Sequence, residues 1–314
     1  MLQELAAQAE VLALLEQAFP EVPAAYFGQI ITLDPELPRG QTFARREGGE
    51  LVATAHVFQR RVRWGDSGII RVGVVGHVAT HPEYRGRGFA GAVLQEAMEA
   101  MRFGGCDLGL IFTGIQDFYE RWGWVPKPYT VVTVPTAEIA LSESPVYTVR
   151  TLTESDLPAV AAVYRREKEP QCGLLIRSDT YWVRHRIWNA TRGLEEQQGF
   201  YVALRPGSQE IVAYLRSARA VGEPKIAVFE ACSVVGADAY PDLLRAVLLR
   251  AKAEGIPAIE TDLPPGHLLA GQIVGAAGAV SALRHGPMVH PLGRARVWPS
   301  PAEAEPFFWR ADWC

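Results

Sequence analysis

The chain has 314 residues, a length at which a single hydrophobic core has usually split, so two domains are expected. Apolar residues make up 48% and charged residues 21%, with 29 Gly and 22 Pro, which excludes a disordered or fibrous chain. With 31 basic residues against 35 acidic, the net charge is -4; no general attraction to nucleic acid follows from it.

Leu5 to Phe19 carries apolar residues at helical spacing and stops at Pro20, while Glu21 to Gly40 shows no clear period and reads as helix or loop. Thr42 to Arg46, Leu51 to Val62 and Ile69 to Thr80 are rich in Val, Ile, Phe and Thr and are separated by Gly-containing turns, the pattern of three consecutive antiparallel strands. After Arg85-Gly86-Arg87-Gly88 come Ala90, Val93, Leu94, Ala97, Met98 and Met101, the apolar stripe of an amphipathic helix that ends at Gly104-Gly105. Leu108 to Thr113 follows as a short strand, Gln116 to Trp122 as one or two helical turns, and Val131 to Val134 as the strand expected to close the first domain.

The order then repeats. Tyr147 to Arg150 reads as a strand, Thr153 as a cap before the apolar run Leu157 to Tyr164, and Phe200 to Leu204, Ile211 to Ala218 and Ile226 to Val235 as three strands. A helix carrying Leu243, Leu244, Val247, Leu248 and Ala251 precedes a strand at Ala258 to Thr261. Two copies of one architecture are expected: residues 1–140, residues 146–290, and a Trp-rich tail, 291–314, packed on them. The fold class is α+β, with a mostly antiparallel mixed sheet flanked by helices in each copy.

The copies differ between the third strand and the helix. Gly86 and Gly88 free the first loop to turn tightly and present backbone N–H groups to an anion, and the following helix adds the positive end of its dipole. Arg85 and Arg87 add fork-shaped charge suited to phosphate oxygens. At the matching place the second copy has Val234-Val235-Gly236-Ala237-Asp238-Ala239-Tyr240-Pro241, with no arginine and one acidic side chain, so it is not expected to hold a phosphate.

His81-Pro82-Glu83-Tyr84-Arg85-Gly86-Arg87-Gly88-Phe89-Ala90, after a strand and opening a helix, resembles the Q/R-x-x-G-x-G/A motif of the GCN5-related N-acetyltransferases (GNAT superfamily). Arg85, Gly88 and Ala90 fill its three defined positions. Phe118-Tyr119-Glu120-Arg121-Trp122-Gly123-Trp124 resembles the family's F-Y-x-x-x-G-F element, with Trp124 replacing Phe. The stretch Val75 to Gly88, and Ile176-Arg177-Ser178 before Tyr181-Trp182, are similar to the enhanced intracellular survival (Eis) subfamily.

The resemblance implies an acetyl-CoA-dependent N-acetyltransferase in which a primary amine attacks the thioester directly. The acetyl-CoA arm would lie along Val78, Ala79 and Thr80, its pyrophosphate on Arg85, Gly86, Arg87, Gly88, Phe89 and Ala90, and Tyr119 would protonate the departing thiolate. In the subfamily a third, sterol-carrier-like domain brings a terminal carboxylate to the first site. The two dozen residues here after the second copy are too few for such a domain, and the terminal carboxylate of Cys314 is one candidate base. His77, on the motif strand but turned by strand alternation to the face opposite Val78, is another, and a water chain a third.

The alternative is a non-catalytic acyl-CoA sensor. A mycothiol-synthase-like tandem enzyme would be expected to carry the cofactor loop in its second copy, and here the loop is in the first. Glu21, Asp34, Asp66 and Asp117 would suit a polycationic acceptor such as an aminoglycoside, a polyamine or a lysine side chain. No run of about 18 apolar residues is present, and Glu4, Glu10 and Glu16 stand where an export signal carries basic residues. Cys106, Cys172, Cys232 and Cys314 form no CxxC pair, so no metal site, no disulfide framework and a cytoplasmic setting are expected. Neither a nucleic-acid nor a membrane partner is expected, and homo-oligomerisation stays open.

Overall fold

The computed structural model describes residues 2–22, 24–34, 41–65, 68–140, 144–167, 171–183, 196–220, 222–264 and 266–293. The Trp-rich stretch from Trp298 and the terminal residue Cys314 lie outside them. The chain divides into two compact units: Met1–Lys127 with the segment starting at Pro287, and Pro128–Gly286.

In chain order the elements are α1 (Leu2–Ala18), α2 (Ala24–Leu33), β1 (Gln41–Glu47), β2 (Glu50–Arg63), β3 (Ile69–Thr80), α3 (Phe89–Phe103), β4 (Leu108–Phe112), α4 (Gln116–Glu120) and β5 (Val125–Pro126). There follow β6 (Tyr129–Pro135), β7 (Thr148–Thr151), α5 (Leu157–Glu167), β8 (Glu196–Leu204), β9 (Ile211–Ala220), β10 (Lys225–Ser233), α6 (Tyr240–Glu254), β11 (Ala258–Thr261), α7 (Leu268–Val274), β12 (Val280–Arg284) and β13 (Pro287–Pro291). Thr153 caps a 3-10 turn ahead of α5 in a capping box with Asp156, so the expected cap forms one turn before the α-helix proper.

Two mixed sheets result, both flanked by helices. The first has six strands in the order β1-β2-β3-β4-β13-β5 and the second seven, β12-β6-β11-β10-β9-β8-β7. Each is antiparallel apart from one parallel pair, β3 with β4 and β10 with β11. The strand at Val131 to Val134 forms, as β6, but it does not close the first sheet: it pairs with β11 and β12 in the second. The place beside β4 is taken instead by β13, which pairs with β4 and β5. Each sheet is thus completed by a strand from the other half of the sequence. Local apolar pattern makes a strand, but it does not choose the strand's neighbour.

In the first unit β2 is buried without interruption from Leu51 to Phe58, because helices cover both faces. Ala53, Ala55 and Val57 pack toward α3, through Val93, Leu94 and Ala97. Leu51 and Ala79 pack toward α1 and α2, through Val11, Leu14, Leu15 and Phe27. The predicted stripe of α3 is buried at Val93, Leu94, Ala97, Met98 and Met101. Close approach to the sheet depends on Gly73, where a Cβ would lie 2.2 Å from Met101 Sδ.

Candidate active site

The loop between β3 and α3 has the shape that its glycines predict. Gly86 and Gly88 have φ of 78° and 83°, values at which an L side chain is strained. A Cβ at either position would meet nothing within 4 Å, so backbone conformation, and not crowding, requires glycine there. Gly88 caps α3 without a side-chain hydrogen bond, and the first helical bond runs from Ala92 N–H to the Gly88 carbonyl. The N–H groups of Phe89, Ala90 and Gly91 are therefore left for an outside acceptor. Arg85 and Arg87 are exposed. Among the described residues their guanidiniums donate only to the carbonyls of Ala18 and Glu83, at 3.3 and 3.4 Å, and Arg87 also covers the Tyr84 ring at 4.9 Å. Free N–H groups, a helix dipole and two arginines fit a diphosphate.

Next to this loop the sheet opens. β3 and β4 are paired only from Val72–Leu108 to Val74–Leu110, while β3 runs on to Thr80. Over the same stretch β3 carries a bulge: Gly76 pairs with His56 and Ala79 with Thr54, so β3 has one residue more than β2. His77 absorbs it with φ of 52°, the one positive value outside glycine among the described residues. A bulge frees strand N–H and C=O groups from the ladder, here beside the gap where an acyl-pantetheine arm can pair with β3. Val78 faces the α3 side with Phe89 and Val93, and Ala79 the α1 side. Thr80 pairs with Ala53, and its hydroxyl is sealed without a hydrogen-bond partner.

Tyr119 lies on the α3 side of the gap, 3% exposed. Its ring stands edge-on to Phe118 at 4.9 Å and to Trp124 at 6.2 Å. Burial raises the phenol above its usual pKa of 10, because the charged phenolate is the form that burial disfavours. Trp122 packs over the start of α3, where a Cβ on Gly91 would lie 2.5 Å from its ring. Cys106 is free and buried, and burial pushes its thiol up to about 11; it is a packing residue and not a nucleophile. Among the described residues no group of three His, Cys, Asp or Glu side chains could hold a metal ion, and no helix is long and apolar enough to cross a membrane.

The acidic residues weighed as an acceptor-binding set differ in their surroundings. Asp34 is 5% exposed and paired with Arg60 at 2.9 Å, Glu21 and Asp117 are exposed, and Asp66 lies outside the described residues. No local sequence signal marks this pairing, because Asp34 and Arg60 meet only through the tertiary fold. His56, which belongs to no motif, is buried beside His77, with ring centroids 6.0 Å apart.

The second unit repeats the frame without the cradle. Gly236 turns the loop, but α6 opens on Tyr240 and Pro241. The Asp242 carboxylate in its first turn accepts hydrogen bonds from the N–H groups of Val146 and Tyr147 at 2.9 and 2.8 Å. Where β10 runs on past its pairing with β11, the His267 ring is hydrogen-bonded to the Ala231 carbonyl at 3.0 Å, so a side chain occupies the strand edge that stays open in the first unit.

Residues 4–126 match the family model described as an acetyltransferase (GNAT) domain. Among solved structures the chain is similar to a probable N-acyltransferase of Enterococcus faecalis, with a TM-score of 0.72 and 14% identity over 91% of this chain and 70% of that one. It is similar also to Eis1 of Mycobacterium abscessus, with a TM-score of 0.64 and 16% identity over 92% and 72%. A tandem GNAT protein from the clavulanic acid biosynthesis pathway matches with a TM-score of 0.57 and 15% identity over 93% and 95%. A search of curated proteins finds no match. The GNAT domain match thus falls within the first unit, and the fold of the chain as a whole is similar to that of the tandem GNAT protein and of Eis1.

Proposed function

We propose that the chain is an acetyl-CoA-dependent N-acetyltransferase that acetylates a primary amine by direct attack, with both substrates bound in the first unit. The observation that carries this reading is the uncapped start of α3, with Arg85, Arg87 and the two left-handed glycines, set against the opened edge of β3. Acetyl-CoA, when bound, supplies the thioester that the amine attacks. Arg85, Arg87 and the N–H groups of Phe89, Ala90 and Gly91 hold its pyrophosphate, the β3 backbone from Val78 to Thr80 aligns the arm, and Tyr119 holds the proton for the sulfur. Packed aromatics around Tyr119 keep water from that proton.

The test is calorimetry with coenzyme A followed by a thiol-release assay over a panel of amines. The wild-type protein is expected to bind coenzyme A and release thiol with at least one amine. Tyr119→Phe is expected to keep the affinity and lower the rate by about 10²-fold. Binding without release across the panel would favour an acyl-CoA sensor, and an unchanged rate in the variant would remove the acid role from Tyr119.

A further inference from the structure

The β3 bulge puts Gly76 and His77 on the face covered by α2. A Cβ on Gly76 would lie 3.1 Å from the Phe58 ring, and the His77 ring stands edge-on to Phe27 and Phe58, with centroids 5.2 and 5.4 Å away. Behind it, His56 bonds through Nδ1 to Thr42 Oγ1 at 2.7 Å, and its Nε2 is sealed without a partner. His77 Nδ1 is likewise sealed without a partner, and the ring makes no hydrogen bond among the described residues. Burial, with a smaller push from His56, pulls the His77 pKa down to about 3, so the imidazole is neutral.

A histidine that serves only the core has its nitrogens satisfied, and this chain supplies two examples. His267 is bonded through both nitrogens, to the Ala231 carbonyl and the Leu269 N–H. His290 is bonded through both as well, to the Gly123 carbonyl and to Arg102. His77 has neither bond, sits in a backbone conformation that histidine rarely adopts, and lies where β3 has parted from β4. Strain of this kind concentrates at functional positions. Val78 faces the α3 side, on which Tyr119 lies, so His77 faces the opposite side of the gap.

We propose that His77 takes the proton from the acceptor amine. The inference rests on the acetyltransferase reading and adds to it the base that the sequence leaves open. Nδ1 keeps the ring proton and Nε2 offers its lone pair to the amine. As the amine nitrogen bonds to the acyl carbon, the carbon–sulfur bond breaks. One nitrogen-bound proton passes to Nε2, and the sulfur takes the phenolic proton of Tyr119. Water then removes the proton from the imidazolium and returns one to Tyr119, so both side chains recover their starting state. A weakly basic ring suits this step, because the amine proton becomes acidic only once the nitrogen has bonded to carbon.

The experiment replaces His77 by Gly, which accepts the left-handed backbone and leaves a ring-sized space. Coenzyme A affinity is expected to hold, acetylation of the amine to fall by about 10²-fold or more, and added imidazole to restore part of it. Rescue of this kind does not follow from a structural role. His77→Asn also tolerates the left-handed backbone and accepts no proton at neutral pH, so it is expected to be slow and to bind coenzyme A normally. Transfer at the wild-type rate by either variant overturns the inference alone. A wild-type protein that binds no coenzyme A overturns the acetyltransferase reading, and this inference with it.

Discussion

Burial pulls His56 and His77 from the ordinary 6.5 down to about 4 and about 3. Between those values and 6.5 the folded chain binds fewer protons than the unfolded one, so stability is full above pH 6.5 and declines as the pH falls toward 4. The loss is on the order of a few kcal/mol for the fully buried His56. Thermal melts from pH 7 to pH 4.5 should therefore fall more steeply for wild type than for His56→Gln, and parallel profiles would show that the ring does not titrate on unfolding. These positions also mark how far the candidate site could be read in advance. Arg85 to Ala90 were legible because a glycine at positive φ before an amphipathic stripe has few other uses, and Tyr119 because it lies within a motif. His77 was legible as a candidate base on the face opposite Val78, but its positive φ was not: the bulge is a mismatch between two strands, and neither strand's sequence states it.

At the scale of elements, α3 and β1 to β3 could be read because their apolar periods are one-sided or bounded by turns. α2 could not, since it is only ten residues long and lies in a Pro-punctuated stretch, between Pro23 and Pro35. In the second unit, β9, β10 and the residues around Arg177 build a sealed network. Glu230 accepts from Arg177 at 2.7 and 3.0 Å, from Arg216 at 2.9 Å and from the Tyr214 hydroxyl at 2.6 Å. The rings of Tyr164 and Trp182 lie against Arg177 at 4.0 and 4.8 Å. Burial pushes the Glu230 carboxyl up, but the two guanidiniums outweigh it and hold the group below its usual 4.5. The stability it contributes is thus present above pH 4.5 and lost as the pH falls below that. Glu230→Gln leaves two buried cations short of their counter-charge and should cost about 3–5 kcal/mol. Urea unfolding at pH 7 checks this; a midpoint equal to wild type would mean that the network is dispensable.

Over the whole molecule the duplication was visible in the sequence, because the order of strands and helices repeats. The exchange of β6 and β13 was not, since pairing with a distant partner leaves no mark on either strand. Its practical outcome concerns fragments. A chain ending at residue 140 lacks β13, which leaves the partners of β4 and β5 missing, and carries β6 without β11 or β12. Such a fragment is expected to aggregate and to show no cooperative melting; a soluble monomer melting at the temperature of the full chain would contradict this.

The position of β13 also sets a schedule during synthesis. The ribosome makes the Arg85–Gly88 loop well before β13, and the sheet that supports the loop stays one inner strand short until Pro291 has left the exit tunnel. Until β13 is made the edge of β4 is bare, and a bare strand edge is open to pairing with other chains.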